Sequence, residues 1–150
     1  MTEQQKQQAE ILIAKYGFCS LETQQELEKA GFFEICKPSH VLVEDSSGKM
    51  VSFLAEDVEF LMLKEMEYIP MPQFHEVWGL LPTKIDMSKY YVPSPVNKHN
   101  AELFLQKQRM GYCELGNDIS IIDVMFNNKI VSICESACWL WLQLKKDNLI

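Results

Sequence analysis

The 150-residue sequence predicts an α+β fold: a single domain, residues 1–150, in which an antiparallel sheet of hairpins packs against several short helices. Three observations point there. Cap-forming residues stand before amphipathic stretches that end at glycine. The stretch HVLVEDSSGKMVSFL sets turn-forming residues between two apolar runs. The strands do not alternate regularly with helices, as a doubly wound parallel architecture would require.

The elements follow in order. Thr2 is a candidate cap for a helix over 2–15 with Gly17 as its stop, and Ser20 precedes LETQQELEKA, whose Glu22 and Glu26 lie toward the favourable N-terminal half and which stops at Gly31. Residues 40–54 form a hairpin in which Gly48 takes the positive φ of the turn. AEDVEFLMLKEMEYI, from Ala55, combines helix formers with a continuous apolar run; its expected state is helix. In MPQFHEVWGLLP, Phe74, Val77, Trp78 and Leu81 repeat at helical spacing, with Pro72 expected at the first helical position and Pro82 beyond the end. SKYYVPSP reads as an extended edge segment. AELFLQKQRMGYCEL can be drawn as a helix or as two strands turning near Arg109 to Gly111, and the hairpin is preferred. ISIIDVMF is a strand, Asn127-Asn128 a turn, and the last helix opens with Ser132 and Glu135 at capping-box spacing.

Composition bounds the function. Apolar residues make up 47% of the chain and charged residues 23%, an ordinary globular balance. With 14 Lys and Arg against 21 Asp and Glu, the net charge of −7 repels phosphate backbones and anionic lipids, so no nucleic acid and no membrane are expected as partners. The N-terminal stretch has no basic start before a signal-length apolar run, and the longest apolar windows fall far short of the ~18 residues of a membrane span. The expected location is therefore the cytoplasm, with the five cysteines reduced.

The stretch SICESACWLWLQLKKDNLI carries the main candidate site. On a helical wheel, Ala137, Cys138, Trp141, Leu142 and Leu144 lie within roughly 80° of Cys134, which makes the cysteines part of a core stripe. An alternative is a metal-dependent module or enzyme in which Cys134 and Cys138 join Cys36 and His40, since three thiolates and an imidazole would suit zinc. Trp139 points about 140° away from Cys134, among Glu135, Ser136, Gln143 and Lys146. Either the helix is covered on a second side, or Trp139 belongs to a contact surface with Gln143, to which the edge of the Tyr90-Tyr91 strand would add.

No other stretch carries a chemical signature. His75 reads as a surface histidine on a packing helix and His99 as a loop residue. Glu56, Asp57 and Glu59 lack the alternating ligands and glycine of a calcium loop. With Glu65 and Glu67 they would instead give an acidic face of the kind a DNA mimic or inhibitor presents. Signature loops for nucleotide binding, acyl transfer and zinc hydrolysis are absent, so no catalytic residues and no cofactors are expected.

Three stretches, CSLETQQELEKAGF, IPMPQFHEVWGLLP and SICESACWLWLQLKKDNLI, together resemble a loose group of small uncharacterised proteins encoded in phages and prophage-like elements of gut bacteria. That resemblance implies a mobile-element setting and action in a bacterial cytoplasm, and it assigns no residue a role. The expected function is non-enzymatic, through protein contacts with a second copy or with a host or phage protein.

Overall fold

The structure is a computed structural model that describes residues 1–54, 67–86, 100–114, 120–125 and 132–150. The described helices are α1 (Glu3–Tyr16), α2 (Leu21–Lys29), α3 (Phe32–Ile35), α4 (Phe74–Trp78) and α5 (Ile133–Lys146). The strands are β1 (His40–Glu44), β2 (Met50–Leu54), β3 (Tyr68–Met71), β4 (Lys84–Asp86), β5 (Asn100–Leu105), β6 (Arg109–Glu114) and β7 (Ser120–Met125). They form the predicted α+β architecture, with the antiparallel strands divided between two sheets. One has three strands in the order β2-β1-β3, and the other is a four-stranded meander, β4-β5-β6-β7.

Local chemistry sets the element ends. Thr2 Oγ1 accepts from Gln5 N at 3.1 Å while Gln5 Oε1 accepts from Thr2 N at 3.0 Å, a complete capping box for α1. Gly17 at φ +69° and Gly31 at φ +80° close α1 and follow α2 in the left-handed conformation that glycine adopts without a Cβ clash. In the β1–β2 turn, Asp45 Oδ1 accepts from Ser47 N and Oγ and from Lys49 N, and these bonds, the Ser47 hydroxyl foremost, lower its pKa. Helix α1 then crosses the edge of β2, where Gln8 Oε1 takes the outward Met50 N–H at 2.9 Å and blunts that strand for further pairing.

Several expectations shift. Of the 101–115 stretch, residues 101–114 form the preferred hairpin, but its turn lies at 106–108, closed by Gln106 N donating to Arg109 O at 2.8 Å. Pro72 precedes α4 instead of opening it, because Glu76 Oε1 reaches back to Gln73 N at 2.9 Å and fixes the cap at Gln73. Tyr68 and Ile69, at the end of the stretch read as a helix from Ala55, pair with β1 as strand: in the Val43↔Tyr68 and Leu42↔Ile69 register their half-apolar alternation suits an edge strand. Residues 55–66 of that stretch, the SKYYVPSP segment, His99 and the Asn127-Asn128 turn lie outside the described residues.

One hydrophobic cluster joins helices to both sheets, running through Phe18, Leu27, Phe32, Leu42, Met71, Tyr112, Cys138 and Trp141. Trp141 meets Phe32 edge to face at a centroid distance of 4.9 Å. Tyr112 is fully buried, and its hydroxyl donates to Pro82 O at 2.6 Å, tying β6 to the turn before β4. Burial pushes the Tyr112 pKa up, which keeps that donor protonated. Tyr112→Phe leaves Pro82 O without this donor, and we expect a loss of about 1 kcal/mol in urea unfolding at an unchanged m-value. Unaltered stability would show that the bond contributes nothing net.

Candidate functional site

Helix α5, which carries Trp139, meets the start of α2. Ser20 caps α2, its Oγ accepting from Thr23 N at 3.2 Å, and Ser132 caps α5 in the same way through Glu135 N at 3.0 Å. The expected return bond from the Glu135 side chain to its own cap does not form. Its carboxylate crosses to α2 instead, where Oε2 accepts from Ser20 N at 2.7 Å and Oε1 from Ser20 Oγ at 3.0 Å. Oε1 also accepts from Thr23 Oγ1. Position N3 of α2 is Thr23, too short to reach back to the cap, so a neighbouring helix supplies the missing acceptor. One carboxylate thereby sits at the positive ends of two helices.

Trp139 closes this network, its Nε1–H donating to Thr23 Oγ1 at 3.3 Å. The off-stripe position is therefore half explained, since a helix, rather than loops, covers part of the indole. The residue remains 41% exposed. Gln143, one turn further on, is exposed and donates to Asp147 Oδ2 at 2.6 Å. Tyr90 and Tyr91 lie outside the described residues.

Burial on α5 is wider than the wheel suggested. Ser136 and Leu140 are fully buried along with Cys134, Cys138, Trp141 and Leu144, an arc of about 200° at 100° per residue. Helices α2 and α4 and strands β6 and β7 all pack on it, which is why Ser136, expected to face water, is inside.

The cysteines divide into different environments. Cys134 Sγ donates to Pro72 O at 3.2 Å, and the neighbouring thiols of Cys134 and Cys19, together with burial, hold the pKa of Cys138 well above the ordinary value. All three are fully buried. Cys36 is half-buried at the end of α3; burial, with the Glu76 carboxylate second, pushes its pKa up to about 11. His40 opens β1, its ring 5.5 Å from Phe18 and 6.2 Å from Tyr16, with Nδ1 3.0 Å from Ser39 Oγ. Cys36, His40, Cys134 and Cys138 are thus not gathered around one point. Among the described residues no group of three or more His, Cys, Asp or Glu side chains is arranged to hold a metal ion.

Glu76 repeats the Glu135 device. Beyond its own cap at Gln73 N, it accepts from Ser39 N at 2.9 Å and from Ser39 Oγ at 3.3 Å, so α4 is tied to the start of β1. His75 beside it is exposed. Of the acidic set, Glu67 is exposed, and Glu56, Asp57, Glu59 and Glu65 lie outside the described residues.

Fold and site together define an α+β protein in which one carboxylate, that of Glu135, ties the starts of two helices. In comparisons with protein-family models, curated proteins and solved structures, nothing matches this chain. Among the described residues no helix is long and apolar enough to cross a membrane.

The thiol environments give a pH dependence. With its pKa raised from 9.0 to about 11, native Cys36 keeps a proton that the unfolded chain loses first. Its contribution to stability is therefore full below pH 9 and is lost as pH rises through about 11. Because the thiolate is the nucleophile, iodoacetamide labelling of native Cys36, followed by mass spectrometry, should climb about tenfold per pH unit from pH 8 and level off only near the raised pKa. A plateau by pH 9 would contradict this environment.

Proposed function

We propose that this chain is a non-enzymatic protein that acts by binding a protein partner, and that the first such partner is a second copy of itself. One observation carries the reading: Trp139 leaves 41% of its surface open while its indole N–H is held by Thr23. A large aromatic already fixed in one orientation loses little side-chain entropy on docking, which is the property of a binding hot spot. Gln143 supplies an exposed amide beside it on the same helix. The protonated state of Cys36 and the burial of Cys19, Cys134 and Cys138 support binding over thiol chemistry.

The resemblance of three stretches to phage and prophage proteins supports a setting in a bacterial cytoplasm, where a host or phage protein would be the further partner. Sedimentation equilibrium of the wild type and Trp139→Ala, with the fold checked by circular dichroism, tests the reading. The wild type should self-associate, and the variant should weaken the dimer by about thirtyfold or more, as loss of a hot-spot tryptophan does. A monomeric wild type, or a dimer indifferent to the substitution, would overturn it.

A further inference from the structure

On the outer face of α5, Glu135, Trp139, Leu142 and Lys146 fall at i, i+4, i+7 and i+11, within about 60° of one another at 100° per residue. The stripe lies opposite the buried arc of the helix: Trp139 and Lys146 are exposed, Glu135 and Leu142 half-buried. Its order is acidic, apolar, apolar, basic, and its spacing reads the same from either end. Such a stripe is complementary to a second copy of itself running the other way, the arrangement that a two-fold axis across the helix produces.

With the axis passing between Leu140 and Trp141, an antiparallel pair sets Glu135 against the partner's Lys146 and Trp139 against the partner's Leu142, and each contact occurs twice. A parallel pair would instead set Lys146 against Lys146 and Glu135 against Glu135, with like ends of the two helix dipoles together. Glu135 has room for the further charge. An ionised carboxylate offers about four acceptor positions, and Ser20 N, Ser20 Oγ and Thr23 Oγ1 occupy three of them. Glu22, exposed in the first turn of α2, adds a second carboxylate at that end of the surface. The indole N–H of Trp139 is already taken by Thr23, so its open surface suits an aliphatic side chain rather than an acceptor.

We infer that the occupant of this face is the α5 of a second copy, docked antiparallel, with Glu135–Lys146 links at the two ends and Trp139–Leu142 contacts between them. The inference rests on the reading of Trp139 as a self-association surface and adds the direction and register of the partner. The apolar contacts supply affinity, while the exposed ion pairs, each modest in strength, select the direction.

Sedimentation equilibrium of Lys146→Glu and Lys145→Glu beside the wild type tests the register. Both lysines are exposed in the last turn of α5 and both variants change the net charge equally, but Lys145 lies about 100° away from Lys146 and off the stripe. Lys146→Glu turns both end links into repulsions and should weaken the dimer about tenfold, whereas Lys145→Glu should change it by less than about twofold. In a mixture of isotope-labelled and unlabelled protein, filtered nuclear Overhauser spectra should show the Trp139 ring of one subunit against the Leu142 methyls of the other. A dimer that Trp139→Ala disrupts but that is indifferent to Lys146→Glu, or equally weakened by both lysine variants, would overturn the antiparallel register and leave the Trp139 reading standing. So would contacts between the two Trp139 rings without any to Leu142. A monomeric wild type would overturn both.

Discussion

The Glu135 carboxylate is the constraint on which the candidate surface depends. It accepts from the backbone and hydroxyl of Ser20 and from the hydroxyl of Thr23, so the start of α2 cannot move without the start of α5. Thr23, whose hydroxyl hydrogen is directed at Glu135, still has an oxygen lone pair that receives the Trp139 N–H. The orientation of the exposed indole is therefore set two bonds away, by a carboxylate in the first turn of its own helix. A charge-assisted bond is stronger than a neutral one, and here it is further favoured by two helix dipoles pointing at one anion.

The same logic recurs at Glu76, which holds Ser39 and the cap of α4 together. Two acidic residues at N3 positions thus do more than cap: each ties a helix start to a segment distant in sequence. Between them lies a core that accepts cysteine as a small apolar side chain, with the Cys134 thiol hydrogen-bonded to Pro72 O. The wide burial of α5 follows, since helices bound at their starts can close around it from two sides.

Much of this was legible in the sequence wherever a local rule governs. The caps at Thr2, Ser20 and Ser132, the stops at Gly17 and Gly31 and the turn at Asp45 to Gly48 rest on short-range hydrogen bonds and positive φ, and all are found where the spacing put them. The crosswise use of Glu135 was not legible. Its spacing from Ser132 satisfies the capping-box pattern equally well whether the carboxylate turns back or reaches out, and only the arrival of α2 decides. Ser136 was assigned to water because a wheel knows one packed side, whereas α5 has two. Gln24 gave no signal of its burial: a glutamine among QQELEK reads as solvated surface, yet on α2 it is only 4% exposed.

A double-mutant cycle on Thr23→Val and Glu135→Gln, read by urea unfolding and by Trp139 fluorescence, tests the central claim most directly. If the carboxylate holds the two helices and the indole as one unit, the two substitutions should be coupled by between about 0.5 and 3 kcal/mol, and each alone should red-shift the Trp139 emission. Additive effects, within about 0.3 kcal/mol, with unchanged emission would mean that the network does not fix the surface.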